Sequence, residues 1–364
     1  MNICLIGKNI SNLLLAKNLV NRGINFDLLY SEVSDLSKIS TRTVGISEDN
    51  INFINSNIVN IKKYIWSIKD IKIYTESDKD SQILSFKSEN NSNFSIIKYY
   101  DFYKTIEKVL NKSKNFKTIF VSKKKINNYI LNKKYNLIVN SDAKNSISKK
   151  YFYKKYFKDY NSKAYTTIIN HKICFNKAAY QIFTKFGPLA FLPISKKKTS
   201  VVFSIINKKN DLKFSEVKNL IKYYNTKYNI KSFEKIEKFK LNFSCLKKYY
   251  FKNILCLGDS LHQIHPLAGQ GLNMTIRDIR LLSKIIDSKI CLGLPLDQNI
   301  LEEFEKKIKH FNFSFAKGID LIYEFFKLDD KLNNRISNLI VKPLSYNKHF
   351  KNYIIKIANR GLYL

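Results

Sequence analysis

Between Asn253 and Ile286 the hydrophobic period of the chain changes once, and the change constrains the fold more than any other feature. Asn253 to Leu257 is a short apolar run, bounded by turn residues, that reads as a buried parallel strand. Beyond it, Leu272, Ile276, Ile279, Leu282 and Ile286 recur at helical spacing. Between the two lies Gly258-Asp259-Ser260-Leu261-His262-Gln263-Ile264-His265-Pro266-Leu267-Ala268-Gly269-Gln270-Gly271-Leu272-Asn273. A strand that ends in Gly-Asp and runs into a glycine-flanked helix start is suited to a polar cofactor. The first amides of a helix are unpaired and carry partial positive charge. Glycine lets the backbone approach closely, and a carboxylate at the strand end accepts from ribose hydroxyls.

The chain has 364 residues, 45% of them hydrophobic, enough for one or two closely joined domains. It contains no uncharged apolar run of about 18 residues, the length expected of a transmembrane helix. Met1 to Gly7 reads as strand and turn rather than a cleavable signal. Cys4, Cys174, Cys245, Cys256 and Cys291 are scattered without metal-ligand or redox spacing, which fits a reducing cytoplasm. The net charge of +35 suggests nucleic acid at first sight, but only six of the 64 basic residues are arginine. Arginine is the residue of bidentate phosphate recognition, and no groove-reading or base-stacking module is visible. The excess of Lys, Asn, Ile, Tyr and Phe fits an A/T-rich coding sequence, so nucleic-acid binding is not expected. Diffuse lysine still favours loose attraction to anionic membranes.

Along the chain, residues 3–7, 10–22 and 26–30 read as a β-α-β unit of the dinucleotide-binding type. Arg42-Thr43-Val44-Gly45-Ile46-Ser47 leads into a helix through the low fifties. Residues 68–98 suggest strands of a second sheet, 101–111 a helix, and 136–140 another buried strand. From 162 to 245 strand-like runs dominate, broken by a helix near 214–228. Residues 298–326 predict a long helix whose stripe, Phe304 to Phe326, is core.

Several segments then carry a resemblance, in order, to the FAD-dependent aromatic hydroxylases of ubiquinone biosynthesis. They are the N-terminal β-α-β unit; Arg42 to Ser47, similar to an Arg-Thr-x-x-x-Ser element; Leu137 to Ser146, similar to an Asp-Gly-x-x-Ser signature; and Gly258 to Asn273, followed by Arg277-Asp278. Between the last two, Gly187-Pro188-Leu189-Ala190-Phe191-Leu192-Pro193 looks like a Gly-Pro-Leu-Ala-x-Leu-Pro element. The resemblance implies an α/β fold with a Rossmann-like FAD-binding domain of the para-hydroxybenzoate-hydroxylase type, an antiparallel β-sheet substrate domain and C-terminal helices. The boundaries read from it are 1–65, 99–158 and 246–295 for the FAD-binding domain, 66–98 and 159–245 for the substrate sheet, and 296–364 for the helical region.

The chain departs from that pattern at cofactor positions. Where the family has G-x-G-x-x-G, it reads Gly7-Lys8-Asn9-Ile10-Ser11-Asn12. The second glycine normally admits the pyrophosphate and the third allows tight helix packing. Tyr30 stands at the acidic ribose-binding position, Ala143 replaces a glycine, and Lys149 replaces an arginine. No arginine lies around Tyr99-Tyr100-Asp101, and residues 112–140 are shorter than a full β-meander.

The cofactor implied is FAD, reduced by NADPH, NADH or a ferredoxin-type donor. The residues implied to hold it are Gly7, Arg42, Asp142, Gly258, Asp259, Pro266, Gly269, Gln270, Gly271, Leu272 and Asn273. Asp142 is equally a turn residue and Arg42 equally a surface cation, and both readings stay open. His262 and His265 invite a metal reading but lack a third ligand, so motif residues held by hydrogen bonds are expected. No side chain is assigned as a catalytic acid or base. The substrates implied are a lipid-tailed phenol and dioxygen. Association with a ubiquinone-synthesis complex, and with the inner face of the membrane from the cytoplasm, stays open. So does a non-catalytic role as a scaffold in such a complex.

Overall fold

The computed structural model describes residues 2–31, 40–77, 82–87, 94–133, 135–206, 211–332 and 334–362. Three sheets organise it. The first is built on β1 (Ile3–Ile6), whose four residues are all buried, followed by α1 (Ile10–Val20) and β2 (Phe26–Tyr30). The chain then leaves this sheet for β3 (Thr43–Ser47) and α2 (Glu48–Asn57). β4 (Trp66–Ile68), β5 (Asp70–Thr75), β6 (Leu84–Lys87) and β7 (Phe94–Lys98) follow. It returns through α3 (Tyr99–Leu110), β8 (Phe116–Phe120), α4 (Ile126–Lys133), β9 (Leu137–Asn140) and α5 (Ser146–Tyr151).

The substrate-side region comprises β10 (Lys155–His171), β11 (Ala178–Thr184), β12 (Gly187–Pro193), β13 (Lys198–Ile206), α6 (Phe214–Tyr224), β14 (Ile230–Phe233) and β15 (Glu237–Leu246). The chain then re-enters the first sheet with β16 (Tyr250–Phe251) and β17 (Ile254–Cys256), touches the large sheet with β18 (His262–Gln263), and ends in helices. These are α7 (Gln270–Cys291), α8 (Gln298–Lys331), α9 (Lys342–Leu344) and α10 (Lys348–Arg360).

The first sheet has the order β16-β17-β9-β1-β2-β8, parallel except at β16. Leu5 registers with Leu28 on one side and Val139 on the other, and Leu255 with Val139. Because β1 is flanked by β2 and by the much later β9, the strand order reverses there. In such sheets the crevice at the C-terminal ends of the strands at that point is the ligand site. α1 is buried at nine positions, including Ser11, Asn12 and Asn18, because α3 and α7 pack around it.

The large sheet runs β18-β15-β10-β13-β12-β11-β5-β6, with β14 beside β10, and all its pairs are antiparallel except β11 with β5. A third sheet, β3-β7-β4, joins the segment after β2 to the others. The shortened stretch after α3 is now accounted for: β8 extends the first sheet beside β2, and α4 crosses back to β9. The long helix forms as its periodicity predicts, with Phe304, Ile308, Phe315 and Phe326 buried, but Ile322 is exposed. The buried face of α8 turns as its neighbours change from α7 and β16 to β11 and β15, so a straight stripe does not follow it throughout. α10 lays Phe350, Ile354 and Ile357 against the second apolar cluster of the molecule.

Candidate cofactor site

Three turns meet at the C-terminal edge of the first sheet. After β1, Gly7 has φ +102, and a Cβ there would lie 3.0 Å from Ser141 Oγ and 3.3 Å from Asp142 Cβ. Its N–H donates to the Leu29 carbonyl at 2.8 Å, so the turn is fixed between β1, β2 and the segment after β9. Asp142 sits in that segment. Its Oδ1 accepts from Lys144 N–H at 2.9 Å, while its own N–H donates to Asn140 Oδ1 at 3.2 Å. Its carboxylate thus shapes the turn beside Gly7. After β17, Gly258 has φ +66 and is pressed against α1, since a Cβ there would be 2.3 Å from Ser11 Oγ. Asp259 follows, exposed, with no hydrogen bond or ion pair among the described residues.

The start of α1 is where the chain departs from G-x-G-x-x-G, and the substituted side chains are built into the loop. Asn9 is the N-cap: its Oδ1 accepts from Asn12 N–H at 3.2 Å, and its Nδ2 donates to the Ser141 carbonyl at 3.0 Å. Asn12 is fully buried and donates to the carbonyls of Ile6 and Gly7, each at 2.9 Å. These side-chain bonds do the holding that close backbone contact does in a glycine loop. Lys8 is paired with Glu107 at 2.8 Å and lies over the Tyr30 ring, 5.6 Å from its centroid. The Tyr99 hydroxyl adjoins the Ile10 backbone, Arg42 and Asp259. Burial pushes its pKa up, opposed by Arg42 and the Ile10 N–H and reinforced by Asp259.

Arg42 stacks on Tyr99 at 4.9 Å, and Tyr99 N–H donates to the Arg42 carbonyl at 2.9 Å. Sequence reasoning looked for an arginine near position 99. It missed that a tyrosine there would face the first amide of α1, because only the packing of α3 on α1 brings the two together.

At the other end, Gly269 caps α7 with φ +61 and abuts β3: a Cβ on it would lie 3.3 Å from Gly45 N. Gly45 is itself wedged, since a Cβ there would overlap the Phe94 ring at 1.9 Å. Its place in the Arg42–Ser47 segment was the one available signal for this contact. Asn273, fully buried, ties the elements together. Its Nδ2 donates to the carbonyls of Gly45 (3.0 Å) and Gly269 (3.1 Å), and its Oδ1 accepts from Ser47 N–H and Asn50 Nδ2, each at 2.9 Å.

Gln270 is buried, and its Oε1 has no partner among the described residues. Gly271 has open space, with Ile264 nearest at 3.9 Å. Leu272 packs half-buried on the core, and Pro266 leads into the tight turn Leu267–Gly269. His262 is held as expected: its Nε2 is 2.7 Å from Asp278, which also accepts from Asn312 at 2.8 Å. His265 differs. Both its ring nitrogens are buried without a hydrogen-bond partner among the described residues, and the ring stacks on Tyr323 at 4.2 Å. Burial pushes its pKa down to about 3, so the ring is neutral. No group of three or more metal-ligating side chains occurs among the described residues.

Gly7, Asp142, Gly258 and Asp259 thus lie on turns at the C-terminal edge of the first sheet, Arg42 adjoins them through Tyr99, and the turn from Pro266 to Asn273 lies against β3. The site fits a dinucleotide flavin at its Gly258–Asn273 end. Gly258 there leaves no room for a Cβ, Gly269 leaves little, and the buried Gln270 Oε1 has no partner among the described residues.

A family model described as an FAD binding domain matches residues 149–290. The mitochondrial ubiquinone biosynthesis monooxygenase COQ6 of Dictyostelium discoideum is 29% identical over 111 residues, covering 30% of this chain and 22% of that protein. COQ6 of Caenorhabditis elegans is 23% identical over 216 residues, covering 47% and 48%. The 3-demethoxyubiquinol 3-hydroxylase of Escherichia coli K12 is 26% identical over 155 residues, covering 41% and 40%. The matches thus span less than half the length of these relatives. Among solved structures, p-nitrophenol 4-monooxygenase PnpA from Pseudomonas putida superposes with a TM-score of 0.76 at 12% identity, covering 100% of this chain and 98% of that one. Klebsiella pneumoniae HpxO complexed with FAD and uric acid gives 0.74 at 9% identity, covering 100% and 97%. At such identities the likeness establishes the fold, which is that of the FAD-dependent monooxygenases.

Proposed function

We propose that this chain, which resembles the ubiquinone-biosynthesis hydroxylases and carries an FAD binding domain, is an FAD-dependent monooxygenase that hydroxylates the ring of a polyprenylated phenol. The observation that carries this reading is the cradle from Gly258 to Asn273, where Gly258 is closed on α1, Gly269 on Gly45, and Gln270 keeps a buried acceptor with no partner among the described residues.

In this reading Asp259, exposed at the end of β17, accepts from ribose hydroxyls. The amides at the start of α7 favour negative charge at the flavin edge through their dipoles. Arg42 contributes a cation beside the groove, and Pro266 and Leu267 shape the backbone past the ring. Bound FAD, reduced by NADPH, NADH or a ferredoxin-type donor, supplies the redox chemistry with dioxygen that places a hydroxyl on an electron-rich ring. The protein orients the two partners and keeps water out.

No helix among the described residues is long and apolar enough to cross a membrane. Exposed Leu339, Ile340 and Tyr346, close in sequence to the basic α10, support peripheral contact with an anionic membrane face, where a prenylated phenol resides.

A second reading, a non-catalytic scaffold in a ubiquinone-synthesis complex, is favoured by one observation: Asn9 and Tyr99 already occupy the amides at the start of α1. A visible absorption spectrum of the purified protein, with and without added FAD, separates the two. The enzyme reading expects a bound-flavin spectrum that weakens in Asp259→Ala, followed by hydroxylation of a prenylated phenol. A folded protein that stays colourless in excess FAD sinks it and leaves the scaffold.

A further inference from the structure

A chain with six arginines among 64 basic residues places three of them around one cavity. The cavity, about 610 Å³, lies between α2, α7, α8 and the end of α10, and is lined by none of the residues named for the cofactor. Arg277, Arg280, Leu281 and Lys284 come from one face of α7, spaced three or four apart so that they project together. Ile308, Phe311 and Phe315 of α8 form an apolar wall opposite, and Arg360 and Gly361 close the end.

Arg360 is paired with Asp49 at 3.0 Å. Arg277, Arg280 and Lys284 have no carboxylate partner among the described residues. The Arg277 guanidinium lies 4.6 Å over the Phe315 ring, and its Nε would be 3.0 Å from a Cβ on Gly361. Its Nη1 is buried with no hydrogen-bond partner among the described residues. Such a donor carries a desolvation cost that a bound anion would relieve. Burial pushes the Arg277 pKa down to about 10, with Asp278 acting against it.

We propose that this cavity binds a small organic oxyanion, a carboxylate or phosphate monoester on an apolar body. Arg277 and Arg280 grip the anion, Lys284 draws it in from the exposed mouth, and Phe311, Phe315 and Ile308 receive the body. The choice of arginine supports this. A lysine would supply the charge, but only the planar fork grips an oxyanion at two points while stacking on a ring. The volume is that of a small-molecule site.

The test is isothermal titration of the full chain with phenyl phosphate, benzoate, phenol and inorganic phosphate. Phenyl phosphate or benzoate should bind, whichever is tighter identifying the anion, while phenol should not. Arg280→Gln should weaken binding by about tenfold or more, the usual weight of a charge-assisted bond. Arg280→Lys should recover only part of the loss. Arg277→Gln should act likewise, and if it does not fold, the two Arg280 variants carry the test. Equal affinity in wild type and Arg280→Gln overturns the site, as does displacement of phenyl phosphate by FAD. Inorganic phosphate binding as tightly as phenyl phosphate would overturn the role of the apolar wall.

Discussion

Replacing Gly258 by alanine should destabilise the protein well beyond the ordinary effect of filling a left-handed glycine. At φ +66 a side chain costs about 1–2 kcal/mol in backbone strain. The added methyl also meets Ser11, at 2.3 Å from Oγ and 2.9 Å from Cβ. Rotating the hydroxyl away relieves the first contact but not the second, so α1 must shift against the turn. Forcing a methyl into such packing costs about 1–3 kcal/mol. The sum, about 2–5 kcal/mol, is a large share of a typical domain's stability.

Gly293 provides the control, with φ +64 and nothing within 4 Å of its Cβ position. Gly293→Ala should therefore cost only the strain. Urea unfolding followed by circular dichroism would place the Gly258→Ala midpoint well below that of Gly293→Ala at a common slope. Ser11→Gly in the Gly258→Ala background should recover part of the difference, read as a coupling energy in a double-mutant cycle. Equal costs for the two alanine variants would refute the claim that Gly258 is required for close approach of α1.

Three further outcomes are expected. His265 is neutral in the fold, with its pKa pushed down to about 3, but protonates near 6.5 once unfolded; it faces Tyr323, Tyr160 and, at longer range, Asp320. The unfolded state thus binds the extra proton, so stability is complete above pH 6.5 and falls by up to about 1.4 kcal/mol per pH unit between 6.5 and 3. His265→Phe should remove that slope in pH-dependent urea titrations. Asp278→Ala removes the acceptor of buried His262 Nε2 and Asn312 Nδ2 and should cost about 2–6 kcal/mol, measured as a fall in urea midpoint. Asn9→Gly removes the cap and both bonds to Ser141 and should cost about 1–3 kcal/mol, yet tighten FAD binding by freeing the Asn12 N–H. Unchanged affinity in a flavin-fluorescence titration would show that this amide does not meet the cofactor.

Much of the fold was legible because its signals are local. The all-apolar β1, the Leu137–Val139 run of β9, the clean boundaries of β2, and the change of period around Gly258 each follow from a run of a few residues. The cradle was legible for the same reason, since Gly258 and Gly269 declare their backbone needs by being glycine. What escaped is set by pairs distant in sequence. Nothing near Tyr99 shows that its hydroxyl faces Ile10, or that Lys8 is committed to Glu107. Nor does the sequence show that Gly45 is wedged between Phe94 and Gly269. Exposure of Ile322 was hidden because a helix that changes partner along its length does not keep one buried stripe. The eroded glycine loop could be seen in the sequence, whereas its repair by Asn9 and Asn12 side-chain bonds could not.

That repair gives α1 a tethered competitor for its own first turn. The Asn9 carboxamide is held one residue from the helix, so its local concentration at the Asn12 amide cannot be lowered by dilution or dialysis. Under the FAD-dependent reading proposed above, an incoming pyrophosphate would displace it rather than fill an open seat. Its apparent affinity is scaled down by the fraction of time the loop stands open. Uptake is then gated by a local rearrangement as well as by encounter. Such a protein is expected to leave purification partly loaded, and to trade its cofactor with the surrounding pool more readily than a glycine-loop relative.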